Sequence, residues 1–285
     1  RDALEHKSNY LKGKAENWRT EIPNFRAVRM NGVYDGIDMI WRGRHGGNVQ
    51  YDFEVAPFAD AGQIEWDIKG ADSVELDVRR TRDGRLVVHH DAHLPADESM
   101  HGGGARPAIV ALDRSDLPAH VPDLVDALDA CAGIEVNLEI KNDPRDPDFD
   151  PDDTVADATM ALLLARGEPQ RWLISSFRLE TVDRCRRIAD DAGVPIRTAW
   201  LTTAPPSDVV DTLRTHGHVA LHPFVGFVTE DLVRRCHDAG IAVNTWTCDD
   251  PDRMAELIGW GIDGICTNVP DVALDVLRRV RGGRS

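Results

Sequence analysis

The chain has 285 residues, a length that suits one α/β barrel of about 250 residues or two smaller domains. Hydrophobic residues at 42% and charged residues at 29% exclude a disordered or fibrous protein. The formal net charge of -16 excludes a general affinity for nucleic acid or for anionic membranes, because the field of the whole molecule repels polyanions.

The first part of the chain is predicted to be rich in β-structure. Residues 35–41 and 49–55 alternate apolar and polar side chains on either side of a glycine-containing turn, which predicts a hairpin. Further short β-type stretches occur at residues 27–30 and 64–68. We assign residues 1–69 to a small β-rich segment.

From residue 70 onward, short apolar runs alternate with amphipathic helices. The strands are predicted at residues 74–78, 134–140, 172–175, 196–201, 219–221, 242–246 and 264–266. The helices are predicted at residues 121–131, 154–165, 179–192, 207–215, 229–239, 251–260 and 272–279. This alternation predicts a parallel sheet, and the number of repeats favours a TIM-type (β/α) barrel over residues 70–285. A complete barrel has one strand more, so we expect the barrel to be incomplete at its first strand-helix unit.

Membrane insertion is not expected. No apolar run approaches the roughly 20 residues that a membrane-spanning helix requires, and no signal peptide is visible at the start. Because a leader can be removed from a chain that begins at Arg1, the compartment stays open between cytoplasmic and exported. The oligomeric state also stays open. Cysteines without paired metal-type spacing predict buried thiols: Cys131, Cys185, Cys236, Cys248 and Cys266.

Two carboxylates share the first predicted barrel strand. Glu75 and Asp77 stand at positions i and i+2, so both side chains point to the same face. Carboxylates crowded on a buried strand repel each other unless a cation or a protonation change relieves them. A divalent metal does so with oxygen ligands alone. A sheet face exposed to water is an equally open alternative for these two residues.

The next predicted barrel strand repeats this pattern with Glu139 and Lys141. Glu139 could complete the metal shell, and Lys141 on the same face could meet a phosphate oxygen as a point charge. The alternative is a structural ion pair between the two side chains.

Two adjacent histidines, His89 and His90, end a strand-like run at residues 86–91. Because successive residues of a strand face opposite ways, only one of them can face a site. Histidine carries protons near neutral pH, and phosphodiester cleavage needs both a base and an acid. A purely structural histidine is the alternative.

Three further polar or aromatic residues lie near predicted strand ends, where barrels place their active groups: His222, Trp246 and Asn268. Each could line a pocket. Trp246 could provide an apolar platform for a glycerol-like group, although a core position is an equally weighted alternative.

Several motifs together resemble the glycerophosphodiester phosphodiesterase family, and they occur in the family's order across residues 70–285. The matching stretches are GADSVELDV (70–78), TRDGRLVVHHD (81–91), LEIK (138–141), ISSF (174–177), VNTWT (243–247) and DGICTN (263–268). The resemblance implies hydrolysis of a small-molecule glycerophosphodiester to glycerol 3-phosphate and an alcohol, with attack by the substrate's own hydroxyl.

The resemblance also implies roles for individual residues. Glu75, Asp77 and Glu139 would hold Mg²⁺ or Ca²⁺. His90 would be a catalytic acid/base, and Lys141 would lie near the phosphate. Nucleic acid is not expected as a partner.

The chain departs from this family at the start. Family members begin with a strand that ends in His-Arg-Gly, whose histidine is a second acid/base. Residues 43–47 contain similar letters, but they fall in the predicted hairpin turn, so His45 is not expected to act. We therefore expect weaker catalysis than in complete relatives. The alternative from another class is a catalytically silent barrel that acts as a binding or surface-associated scaffold.

Residues 10–73 resemble a β-rich module found near the start of some bacterial surface proteins. The similar stretches are WRT (18–20), VYDGID (33–38) and YDFEVAP (51–57). Residues 70–73 suit both resemblances, which places the junction there.

Overall fold

A computed structural model describes residues 3–10, 19–25, 27–43, 49–60, 63, 72–94 and 106–282. Contacts between Cα atoms divide the chain into two compact units, Arg1–Lys69 and Gly70–Ser285. Each unit has its own sheet structure.

The first unit consists of antiparallel strands. β1 (Ala3–Tyr10) pairs with β2 (Arg19–Phe25), and β3 (Ala27–Tyr34), β4 (Ile37–Gly43) and β5 (Val49–Val55) form a three-stranded sheet. β4 and β5 pair from Ile37 opposite Val55 to Gly43 opposite Val49, which confirms the predicted hairpin. β1 and β2 were not predicted, because their sequences are mostly polar and Pro23 argues against a strand. The predicted stretch at residues 64–68 lies outside the described residues.

The second unit contains an eight-stranded sheet in the order β13-β12-β11-β10-β9-β8-β6-β7. Its strands are β6 (Ser73–Arg80), β7 (Leu86–Val88), β8 (Glu135–Ile140), β9 (Trp172–Ser176), β10 (Arg197–Thr202), β11 (Ala220–Pro223), β12 (Ala242–Thr245) and β13 (Gly264–Ile265). All neighbours are parallel except β6 and β7. The seven predicted barrel strands are confirmed, and β7 adds an antiparallel edge.

Helices follow the strands, as predicted. They are α1 (Leu124–Ala130), α2 (Thr154–Arg166), α3 (Leu179–Asp191), α4 (Val209–His216), α5 (Glu230–Asp238), α6 (Pro251–Trp260) and α7 (Pro270–Gly282). Capping residues mark the starts of α5 and α6. The Thr229 side chain accepts a hydrogen bond from the Leu232 amide, and the Asp250 side chain accepts one from the Arg253 amide. Within the described part of the chain, none of the helices is long and apolar enough to cross a bilayer.

The core lies between the helices and one face of the sheet. Val136, Leu138 and Ile140 of β8 are 0% exposed and pack with Leu128 of α1 and Met160 of α2. Burying each such side chain stabilises the fold by roughly 1.5–3 kcal/mol. Alternation along the strand then turns the polar residues of β8 to the opposite face.

The sheet curves strongly. The rings of Phe177, after β9, and Trp246, after β12, are 5.4 Å apart, whereas a flat sheet would separate these strands by about 14 Å. Burial among protein atoms, with added effect from the charges of Glu75 and Asp77, raises the pKa of the Cys266 thiol to about 11. Cys266 follows β13, which a flat sheet would place about 29 Å from β6, the strand that carries Glu75 and Asp77. The curvature of the sheet brings these two charges near the thiol.

The unit is therefore a TIM-type (β/α) barrel that is incomplete at its first strand-helix unit. Within the described residues the two edge strands, β13 and β7, do not pair, so the sheet does not close. The prediction of buried thiols is wrong for Cys266, which is exposed, and Cys131 is only half-buried.

Candidate functional site

Polar side chains share the inner face of β6, β8 and β9. Glu75 stands opposite Asn137, Asp77 opposite Glu139, and Glu139 opposite Ser175. Residues that pair directly in neighbouring strands project to the same face. The strand register therefore forms a continuous polar patch.

Three carboxylates converge in this patch. One oxygen from each of Glu75, Asp77 and Glu139 lies within 4.8 Å of the other two. Burial, followed by the charges of Asp77 and Glu139, raises the pKa of the Glu75 carboxyl to about 8. Burial also raises the pKa of Glu139, which is only 7% exposed. Solvent still reaches Glu75, so an ion has access to the three carboxylates.

Lys141 provides the neighbouring positive charge. Its Nζ lies 2.9 Å from Asp77 Oδ1 and 2.6 Å from Glu139 Oε1, and the side chain is 12% exposed. Burial opposes the charged form, but the carboxylates of Glu139 and Asp77 outweigh it and raise the pKa of Lys141. The structural ion pair considered from the sequence is thus present in this state.

The patch also holds polar atoms without partners. Asn137 Oδ1 and Ser175 Oγ are buried, and neither atom has a hydrogen-bond partner among the described residues. Leaving such groups unsatisfied costs about 1–3 kcal/mol each. The three carboxylates alone already offer a donor set of oxygen atoms, which fits a hard divalent cation.

His90 lies in the loop that follows β7. Its side chain is 76% exposed, and its Nδ1 is 2.9 Å from Asp91 Oδ1. His89 is half-buried, and its Nδ1 is 2.7 Å from the Asp91 carbonyl oxygen. The charge of His90 reaches Glu139, where it opposes the rise in pKa that burial causes. The two imidazoles therefore differ, and His90 is the more accessible one.

Arg79 was missed by the sequence reasoning. It is 3% exposed, and its guanidinium donates to the His90 carbonyl oxygen at 2.9 and 3.1 Å. It also pairs with Asp148 at 2.6 Å and Asp146 at 3.0 Å, in the loop after β8. The i, i+2 spacing from Asp77 would have placed Arg79 on the inner face of β6. Arg79 thus ties the loop that carries His90 to the loop after Glu139.

Trp246 belongs to an aromatic cluster. Its ring lies 5.4 Å from those of Phe177 and Phe224, and Phe227 is 6.5 Å from Phe224. The indole Nε1 donates to the His222 carbonyl oxygen at 2.9 Å. Phe177, Phe224 and Phe227 are 36–50% exposed, so the cluster offers accessible apolar surface beyond the strand ends. The three phenylalanines were not singled out from the sequence.

His222 lies deeper in the barrel. It is 5% exposed, and burial lowers its pKa to about 4, so the neutral ring accepts a hydrogen bond from Asn244 Nδ2 at 3.0 Å. A Cβ added at Gly264 would lie 2.6 Å from Asn244 Oδ1, so the position of the Asn244 side chain depends on glycine at residue 264.

Asn268 donates to Asp249 at 2.8 Å. His45 lies outside the described residues.

Comparisons with known proteins relate most of the chain to one family. The model of the "Glycerophosphoryl diester phosphodiesterase family" matches residues 68–272. A second model, "Domain of unknown function (DUF7948)", matches residues 1–94. The two matches overlap across β6 and β7.

Individual proteins are similar over the same part. A Mycobacterium tuberculosis protein assigned as glycerophosphodiester phosphodiesterase 2 is 31% identical over 217 residues, which cover 72% of this chain and 78% of that protein. A Silicibacter pomeroyi structure assigned to the glycerophosphoryl diester phosphodiesterases has a TM-score of 0.63 and 26% identity, with 74% and 84% covered. An Oleispira antarctica phosphodiesterase in complex with the product sn-glycerol-3-phosphate has a TM-score of 0.57 and 21% identity, with 75% and 85% covered. At 21% identity, the likeness to the Oleispira antarctica structure shows a shared fold alone.

Proposed function

Because the chain belongs to the glycerophosphoryl diester phosphodiesterase family, a family of phosphoric diester hydrolases, we propose that its barrel hydrolyses glycerophosphodiesters to glycerol 3-phosphate and an alcohol. The observation that carries the proposal is the convergence of Glu75, Asp77 and Glu139 within 4.8 Å. Three carboxylates beside one ammonium leave an excess of negative charge, which suits a bound cation and repels a free phosphodiester.

The proposed cofactor is a divalent cation, Mg²⁺ or Ca²⁺, held by Glu75, Asp77 and Glu139. The carboxylates are hard oxygen donors, which both cations prefer, and a cation there relieves the repulsion that contributes to the raised pKa of Glu75. When bound, the cation supplies positive charge that stabilises a phosphodiester and its transition state.

Lys141 is proposed to bind the phosphate. Its ammonium already lies between Asp77 and Glu139. A cation that takes over those carboxylates would leave the three N–H donors of Lys141 for a phosphate oxygen. Trp246, with Phe177 and Phe224 around it, is proposed to contact the apolar side of the glycerol or alcohol group.

His90 is proposed to transfer protons. Asp91 accepts a hydrogen bond from Nδ1 at 2.9 Å, which leaves Nε2 as the basic nitrogen toward substrate. The reaction removes a proton from the attacking hydroxyl and delivers one to the leaving oxygen. Because no His-Arg-Gly is present in the sequence, His90 lacks the second histidine of complete relatives. We therefore propose that turnover is slower than theirs.

Turnover of glycerophosphocholine by the purified full chain tests this function. We expect release of glycerol 3-phosphate in the presence of Mg²⁺ or Ca²⁺, and loss of that release after addition of a chelator. Metal binding without any turnover would contradict the enzyme and favour a binding scaffold. Turnover that survives exhaustive chelation would contradict the metal.

A further inference from the structure

We propose that Asp183, His216 and His218 form a second metal site, which takes zinc or a chemically similar transition-metal ion. The three residues lie on or beside α3 and α4, at the amino-terminal ends of β10 and β11. The carboxylate patch lies on other strands, β6 and β8. The two groups are the candidate metal clusters within the described residues.

The three side chains already converge. His216 Nδ1 is 2.8 Å from Asp183 Oδ1, and His218 Nε2 is 3.0 Å from the same oxygen. Ligands about 2.0–2.1 Å from a tetrahedral zinc are about 3.3 Å from each other. A zinc ion would therefore need each of these nitrogen–oxygen pairs to separate by only a few tenths of an ångström, and the two nitrogens lie within 4.8 Å of each other.

The backbone explains why both histidines face Asp183. His216 is the last residue of α4, and Gly217 follows with φ of 76°. That left-handed conformation, which favours glycine, reverses the chain and brings His216 and His218 to one side. The last carbonyl groups of α4 also favour a positive charge at this position.

His218 has the environment of a metal ligand. Its side chain is 0% exposed, and its Nδ1 lies 2.9 Å from the hydroxyl of Thr198. A hydrogen bond to the second ring nitrogen is what fixes the tautomer and orientation of metal-binding histidines.

The donor set selects the metal. Two imidazoles and one carboxylate suit zinc and similar ions, whereas Mg²⁺ and Ca²⁺ prefer oxygen ligands alone. Solvent reaches His216, whose side chain is 35% exposed, so an ion has an entry path and a fourth ligand can be water. The nearby Arg186 is neutralised by Asp190, 3.0 Å from its Nε. The competing interpretation is a hydrogen-bonded cluster that holds only a proton.

Zinc binding to the full chain tests the site. Zinc per chain is counted after equilibrium dialysis with excess Mg²⁺, which occupies the carboxylate patch, and melting is followed with and without zinc. The variant is His216→Asn, because His216 is partly exposed and its replacement should not unfold the chain. The matched control is His237→Asn, since His237 also pairs with one carboxylate, Asp263 at 2.8 Å, and is 38% exposed.

We expect His216→Asn to weaken zinc binding by at least about tenfold and to lose the zinc-dependent rise in Tm, while His237→Asn retains both. Asp183→Asn should behave like His216→Asn, and turnover in Mg²⁺ should be unchanged in both. Equal zinc affinity of the wild type, His216→Asn and Asp183→Asn would overturn the proposal, and so would a wild-type chain that binds no zinc.

Discussion

Lys141 lies within 3 Å of two of the three clustered carboxylates, and its ammonium opposes part of the repulsion among them. Burial, followed by the charges of Asp77 and Glu139, raises the pKa of Glu75 to about 8, and Lys141 offsets only part of that rise. A divalent cation would restore the balance and free the ammonium. The same side chain can therefore be an ion-pair partner in the metal-free protein and a phosphate ligand in the loaded one.

Replacement of His90 tests the proton transfer at the residue scale. His90→Ala should lower kcat by about 10²–10⁴-fold, the usual contribution of a general acid or base, while cation binding in calorimetry stays unchanged. The control is His89→Ala, which removes the adjacent half-buried imidazole and should have a much smaller effect. Full activity of His90→Ala would remove this residue from the mechanism.

Residue types and their spacing made the acidic patch predictable. The i, i+2 positions of Glu75 and Asp77 fix a common face on any strand. The meeting of Asp77 with Glu139 depends on which strands are neighbours and on their register, and the family motifs supplied this through resemblance. His222 was singled out from the sequence, and two family motifs contain Asn244 and Gly264, but the contacts among the three join separate strands and could not be predicted from any single segment.

At the scale of elements, Arg79 holds together the loops that follow β7 and β8. Its partners Asp146 and Asp148 and the His90 carbonyl oxygen come from separate loops. The Asp148 side chain is 5% exposed, so removal of its partner would leave a buried charge. This contact ties the backbone at His90 to the loop after β8.

Arg79→Met keeps most of the side-chain volume and removes the charge. We expect it to lower the free energy of unfolding by roughly 3–5 kcal/mol, because a buried carboxylate loses its partner. Arg82→Met is the matched control, since Arg82 is 58% exposed in its pair with Asp113 and should cost at most about 1 kcal/mol. Urea unfolding measures both. Equal stability of the two variants would contradict the role of Arg79.

The elements that could be predicted are those whose apolar residues recur with the period of a strand or a helix. The strand β8 alternates apolar and polar residues, and helices such as α5 carry a cap at Thr229, so both were found. Residues 86–91 were described as a strand-like run, but β7 has only three residues and pairs antiparallel at the edge, and nothing in the sequence indicated that pairing. β1 and β2 lack alternation, so their strand character depends on pairing with each other.

At the scale of the whole molecule, a net charge of -16 and an anionic substrate are compatible only if positive charge is concentrated at the site. Solvent reaches the acidic patch at Glu75. The incomplete barrel was predictable from a simple count, because the sequence has strand-helix repeats for all units except the first.

Calorimetric titration of Ca²⁺ or Mg²⁺ into the full chain tests the central claim most directly. The claim is that Glu75, Asp77 and Glu139 bind one cation together. The test variant is Glu139→Gln, and the control is Glu135→Gln on the same strand, because Glu135 instead pairs with Arg197 at 2.8 Å. We predict that Glu139→Gln weakens binding at least about tenfold, or about 1.4 kcal/mol, while Glu135→Gln binds like the wild type. Unchanged affinity of Glu139→Gln would contradict the claim.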